Sequence, residues 1–184
     1  MKRQNLIFEN KQKRKRGLKM KGIVVYDTSS GNTKKIAETI SETLKESGIA
    51  IDLFKVNEVK KLSAADYAFL ILGSPTKFGT MSFAVKSFLG KVKSEEWINK
   101  PFAAFDTENP ENIEKSRAEN KNWSAAEKIA EKLKEKKMIQ LLPVLKALVL
   151  GMKGPLVDGE IARTKEYAKE LATKLKQKKE NKGI

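Results

Sequence analysis

Thr28, Ser30 and Thr33 place three hydroxyls around Gly31 and Asn32 in the run Asp27-Thr28-Ser29-Ser30-Gly31-Asn32-Thr33. The apolar run Gly22-Ile23-Val24-Val25-Tyr26 leads in, and a helical period of Ile36, Ala37, Ile40 and Leu44 leads out. A buried parallel strand, a hydroxyl-rich turn and a helix start are the expected order. The first N–H groups of a helix lack intrahelical partners and sit at the positive end of its dipole, so the turn suits an anion. Gly31 allows close backbone approach or a positive φ, and the hydroxyls add donors. A phosphate monoester fits these groups best. Two other phosphate loops are excluded, because there is no Gly-x-x-x-x-Gly-Lys-Ser/Thr and a dinucleotide fingerprint needs three glycines. The competing reading is a Ser/Thr-rich turn that caps a helix and binds nothing.

Composition narrows the chemistry further. The 184 residues contain no Cys and no His, which removes thiol nucleophiles, disulfides, iron–sulfur clusters, imidazole bases and the usual zinc sites. What remains is chemistry by carboxylates, lysines and hydroxyls, or chemistry borrowed from a cofactor; the second is expected. The length suits one domain with a substantial core. No apolar run approaches the ~20 residues of a membrane span, and the charged N-terminus lacks an apolar signal segment, so a cytoplasmic location is expected.

The net charge is +15, and the Lys/Glu-rich, Gln-poor composition resembles that of heat-adapted proteins. Much of the excess lies at the ends. Residues 1–19 hold eight Lys/Arg against Glu9 and residues 174–184 hold five Lys against Glu180, which leaves +4 for the middle. The block Lys11-Gln12-Lys13-Arg14-Lys15-Arg16 marks residues 1–19 as a basic, disordered extension ahead of a domain at 20–184. Nucleic acid or an anionic membrane surface is the less favoured partner for it. Translation starting naturally at Met20 is a further reading, refuted if N-terminal sequencing of native protein finds Met1.

The positioning elements follow in order. A strand is expected at 49–54 and the strongest at 67–72, which ends in Gly73-Ser74-Pro75-Thr76-Lys77-Phe78-Gly79-Thr80 before a helix patterned by Phe83, Val85, Phe88 and Leu89. A short strand at 101–105 gives way at Asp106-Thr107 to a long loop reaching Asn122. Ser124 and Glu127 have capping-box spacing ahead of a helix. A final strand spans 138–150 with a break at Pro143, and the last helix runs from about Asp158 to Lys178. The apolar stretch 141–150 could equally serve a homo-oligomer contact. Five strand–helix alternations imply a five-stranded parallel sheet covered on both faces. Right-handed crossovers place the loops after the first, third and fourth strands along one edge, where such sheets bind ligands.

Residues 28–33 resemble the phosphate loop of the flavodoxin family. Gly73-Ser74-Pro75-Thr76 and the residues after it are similar to its first ring-flanking loop, and Phe105-Asp106-Thr107 to the start of its second. Gly151-Met152-Lys153-Gly154-Pro155-Leu156 with Asp158-Gly159-Glu160 resembles the C-terminal part of small single-domain members of the archaeal and anaerobic-bacterial type. The resemblance covers 20–175. It implies a flavodoxin-like α/β fold of strand order 2-1-3-4-5 with FMN across the sheet edge. The phosphate would lie on Thr28, Ser29, Ser30, Gly31, Asn32 and Thr33. The ring would lie between Pro75, Thr76, Lys77, Phe78 and Gly79 on one side and Asp106, Thr107, Glu108 and Asn109 on the other.

It also implies electron transfer with a redox partner protein or a small acceptor. Two departures stand out: the aromatic candidates for stacking are Phe78 and Trp123, and the chain is basic where flavodoxins are typically acidic. Trp123 could instead pack just ahead of the Ser124 cap. Gly79 is either a site for a redox-linked peptide flip or a plain turn glycine. Lys77, if it faces the ring and not solvent, would stabilise the negative reduced flavin and make the last reduction step less negative than in acidic members; Asp106 and Glu108 oppose this if they too border the ring. The alternatives are an FMN-dependent NAD(P)H/quinone-type oxidoreductase and a cofactor-free fold used as a basic binding module.

Overall fold

A computed structural model of the chain describes residues 20–60, 62–151 and 153–181. The basic extension 1–19 and Met152 lie outside the described residues. Six strands, β1 (Lys21–Tyr26), β2 (Ala50–Lys55), β3 (Phe69–Pro75), β4 (Pro101–Glu108), β5 (Ile139–Gln140) and β6 (Leu145–Leu148), form one parallel sheet. Its order is β2-β1-β3-β4-β5, and β6 also pairs with β4. β5 and β6 are the two halves of the expected fifth strand, parted around Pro143, whose missing N–H cannot serve a ladder. The helices are α1 (Asn32–Glu46), α2 (Phe83–Lys91), α3 (Ser94–Trp97), α4 (Pro110–Glu119), α5 (Ala125–Glu135) and α6 (Glu160–Asn181).

The central strands are apolar throughout, so alternate side chains feed two cores. Ile23, Val25, Leu70, Leu72, Phe102 and Ala104 pack with α2 and α5. Val24, Tyr26, Phe69, Ile71, Ala103 and Phe105 pack with α1 and α6. Leu142, Leu145, Ala147 and Val149 are buried in the chain's own core, while Leu150 is exposed. Two glycines face a phenylalanine of the next strand. Gly22 pairs with Phe69 and Gly73 with Phe105, and a Cβ on either glycine would lie 2.1 or 2.0 Å from the ring. Gly48 closes α1 as expected: at φ 82°, its N–H donates to Lys45 O while Ile49 N–H donates to Leu44 O.

Three local expectations need correction. β4 continues through Asp106, Thr107 and Glu108, so the third loop begins at Asn109 and not at Asp106. Polar side chains made these residues read as loop, yet all three are buried and paired with β3 or β6. β3 likewise runs on through Gly73-Ser74-Pro75. Pro75 is tolerated because β1 pairing ends at Gly73, so no neighbour there requires its N–H. The expected long loop contains α4, opened by Asn109, whose Oδ1 accepts from Glu111 N, and by Pro110 in the first turn. Asn-Pro-Glu was the available signal; α4 buries no residue, so no apolar period marked it.

Trp97 is fully buried in α3, which the sequence did not mark. Lys100 stands 5.5 Å from its ring and donates to the carbonyls of Ala64 and Tyr67, pinning the segment before β3.

Candidate functional site

At the C-terminal end of the sheet, residues 28–33 fold as the sequence demands. Gly31 takes φ 90° at the N-cap of α1, with nothing within 4 Å of where its Cβ would stand. Its N–H donates to Thr28 Oγ1 at 3.0 Å, which closes the turn. Ser29 and Ser30 are exposed, whereas Asn32 and Thr33 are buried. Asn32 Nδ2 donates to Gly154 O at 2.6 Å, and Thr33 Oγ1 shares a hydrogen bond with Thr107 Oγ1 at 2.7 Å. Thus Asn32 and Thr33 hold the loop against the 150–155 segment and β4, and Ser29 and Ser30 present the outward hydroxyls. The Gly154 carbonyl was not anticipated, because nothing local signals a contact 122 residues away.

α1 differs from the other described α-helices. It has no side-chain cap and no acidic residue in its first turn. Ser82, Asn109 and Ser124 cap α2, α4 and α5, and α3 and α6 carry acids in their first turns. An uncapped, acid-free first turn beside an open glycine fits an external phosphate.

The loop after β3 is a tight hairpin. Lys77 and Thr80 exchange both backbone hydrogen bonds, at 2.9 and 3.0 Å, around Phe78 at φ 48° and Gly79 at φ 71°. Positive φ at both central residues is the type I′ arrangement, and for a phenylalanine it costs on the order of 1 kcal/mol. The side chain of Phe78 stands 94% exposed at the tip. Trp123 packs on the same hairpin: a Cβ at Gly79 would lie 2.4 Å from its ring. Trp123 N donates to Ser116 Oγ and its Nε1 to Glu119, and Lys115 lies 5.7 Å from the ring. Trp123 therefore packs against the hairpin whose tip carries Phe78. Lys77 is exposed beside Phe78.

On the far side, Asp106 is a supporting group and not a rim group. Its Oδ2 accepts from Thr76 Oγ1 at 2.8 Å, Ser124 Oγ at 2.7 Å and Ala126 N at 2.9 Å, so a buried carboxylate occupies the N-terminus of α5. Ser124 Oγ also accepts from Glu127 N at 3.3 Å, half of the expected capping box; Glu127 itself turns to Lys146 at 3.5 Å. Glu108 lies two residues along the same face, 2% exposed, with Oε1 lacking a hydrogen-bond partner. Burial pushes the Asp106 carboxyl up, against the pull of its three donors and Lys146. Burial, then the Asp106 charge, pushes Glu108 up to about 8, while Lys146 opposes them. Neither carboxylate faces outward: Asp106 is fully buried and Glu108 nearly so. Asn109 is half-buried and spends Oδ1 on the α4 cap.

A parallel sheet of order 2-1-3-4-5, with its anion-ready turn at the β1/β3 switch point, defines the doubly wound class that holds a mononucleotide at one sheet edge. Residues 23–140 match the family model described as a flavodoxin domain, and the chain belongs to the flavodoxin family. It is 37% identical over 78 residues to a flavodoxin of Aquifex aeolicus, an alignment covering 42% of each chain. It is 28% identical over 72 residues to protoporphyrinogen IX dehydrogenase [quinone] of Escherichia coli K12, covering 39% of this chain and 40% of that one. The chain thus spans about two-fifths of the length of these relatives. A solved flavodoxin from the domain Archaea superposes with a TM-score of 0.67 at 25% identity, over 85% of this chain and 99% of that one. Membership implies a flavin cofactor. No described helix is long and apolar enough to cross a membrane, and no group of His, Cys, Asp or Glu among the described residues is placed to hold a metal.

Proposed function

We propose that the chain binds FMN at this edge and carries electrons between protein partners. The observation that carries the reading is the first turn of α1, uncapped and acid-free behind Gly31 at φ 90°. The exposed hydroxyls of Ser29 and Ser30, the Thr28 hydroxyl and the free N–H groups of that turn would hold the phosphate. Asn32 and Thr33 fix the loop through Gly154 and Thr107. The 75–79 segment and Asn109 would border the ring, with Asp106, Thr107 and Glu108 supporting that edge from beneath and Phe78 preset as its apolar wall. Bound FMN would supply the electron-carrying chemistry. The chain's own residues position the ring, and exposed Lys77 adds positive charge on the hairpin side, which favours the reduced form.

Titrating FMN into the purified chain tests this. Quenching of flavin fluorescence at one equivalent is expected, and flavin that keeps its free-solution fluorescence at high protein concentration overturns it. A second reading, an FMN-dependent oxidoreductase acting on a quinone, draws on the quinone-linked E. coli relative. Rapid NAD(P)H–quinone turnover by the FMN-loaded chain would favour it.

A further inference from the structure

Away from the phosphate loop, a groove of about 670 Å³ runs between α2 and α5. Lys128, Lys132 and Lys136 line one wall at i, i+4 and i+8, so they stack along a single face at about 6 Å intervals. Lys86 of α2 stands on the opposite wall, and Met81 and Leu89 supply apolar lining. Two acids, Glu131 and Glu135, are interleaved; Glu131 accepts from Asn122 and Glu135 pairs with Lys132 at 2.8 Å. Four cations against two acids leave the groove positive.

Thr80, of the hairpin that carries Phe78, also lines it. Phe78 is 94% and Phe83 85% exposed, and Phe83 lies one helical turn before Lys86. Two exposed phenylalanines thus lie within three residues of groove-lining Thr80, Met81 and Lys86. Lys128 joins the groove to the hairpin: its Nζ donates to Gly79 O at 2.6 Å, so a carboxylate arriving at Lys128 competes with the hairpin for that ammonium.

We infer that the α2–α5 groove docks an acidic electron-transfer protein, which places carboxylates along Lys86, Lys128, Lys132 and Lys136 and an apolar residue against Phe83. The partner's redox role rests on the flavin reading above, since the hairpin that would flank the ring also lines this groove through Thr80. The sign of the partner rests on charge complementarity alone. A continuous polyphosphate would meet Glu131 and Glu135 with like charge at every second or third position, whereas a protein surface can answer both signs. Nucleic acid is therefore the disfavoured occupant.

The test uses the full chain, with and without FMN, and a labelled synthetic helical peptide bearing glutamates at i, i+4 and i+8 and a terminal leucine, read by fluorescence anisotropy. Salt-sensitive binding is expected, weakened about tenfold or more by Lys86→Glu/Lys132→Glu/Lys136→Glu. The milder Lys86→Gln/Lys132→Gln/Lys136→Gln should weaken it less, which guards against a misfolded charge-reversal variant. The same charge change on exposed α6 positions, Lys165→Glu/Lys174→Glu/Lys176→Glu, should leave affinity within about twofold. Equal loss in the groove and α6 variants, or no loss in either groove variant, overturns the proposal. So does displacement of the peptide by a single-stranded oligodeoxynucleotide of equal or higher affinity, or self-association through the groove without peptide binding. Peptide binding that persists in a chain unable to bind FMN would sink the flavin reading and leave the docking site standing.

Discussion

Two helices start at the C-terminal end of this sheet with opposite electrostatic arrangements. α5 receives an anion from inside the chain, since Asp106 accepts from Ala126 N while Ser124 caps Glu127 N. α1 receives none: Gly31 offers no cap, and the first turn carries no acid. The same positive helix end is thus closed in one place by a side chain and left uncapped in the other, where the proposed FMN phosphate would sit. Had both been capped, the fold would be more self-sufficient and would lack the anion site proposed above.

The largest expected effect comes from opening the closed end. Asp106→Ala strands the Thr76 and Ser124 hydroxyls and the Ala126 N–H, and should cost about 3 kcal/mol in chemical denaturation. A cost below about 1 kcal/mol would mean that Asp106 is not what satisfies α5. Closing the open end is the converse. Ser30→Asp brings a carboxylate beside the N-terminus of α1, one residue ahead of Gly31; it should weaken FMN binding by tenfold or more, about 1.4 kcal/mol, while raising the stability of the FMN-free chain by a few tenths of a kcal/mol. Fluorescence titration and thermal melts read the two halves, and an unchanged affinity would break the comparison.

The smallest effect sharpens the account of the closed end, where Glu108 adds a second buried carboxyl. Its folded pKa of about 8 lies above the ordinary 4.5, so the folded chain keeps a proton that the unfolded chain releases. Stability from this group is therefore full below pH about 4.5 and is lost as pH rises toward about 8. Glu108→Gln should remove that slope, gaining about 1 kcal/mol at pH 9 and almost nothing at pH 4. Denaturation midpoints across that range check it.

The open end was legible in the sequence because everything it needs is local. The apolar run to Tyr26, the hydroxyls, Gly31 and the period of Ile36, Ile40 and Leu44 occupy one stretch. The closed end was only half legible. Ser124 announced its cap, but Asp106-Thr107-Glu108 read as loop because the groups that make their burial tolerable lie far along the chain. Thr33 answers Thr107, and Ser124 with Ala126 answers Asp106. α4 escaped notice for a different reason, since a helix that buries nothing leaves no periodic trace. Trp97 was equally silent, a lone aromatic in a four-residue helix.

The phenylalanines that lie over glycines on neighbouring strands act as a steric key for the whole edge. Slide β3 against β1, or β4 against β3, by a single residue, and Phe69 or Phe105 meets a strand position that carries a Cβ. Misaligned pairings are thereby disfavoured inside the sheet, and the stagger by which β3 and β4 outrun β1 at the C-terminal edge is set by the packing of the strands themselves.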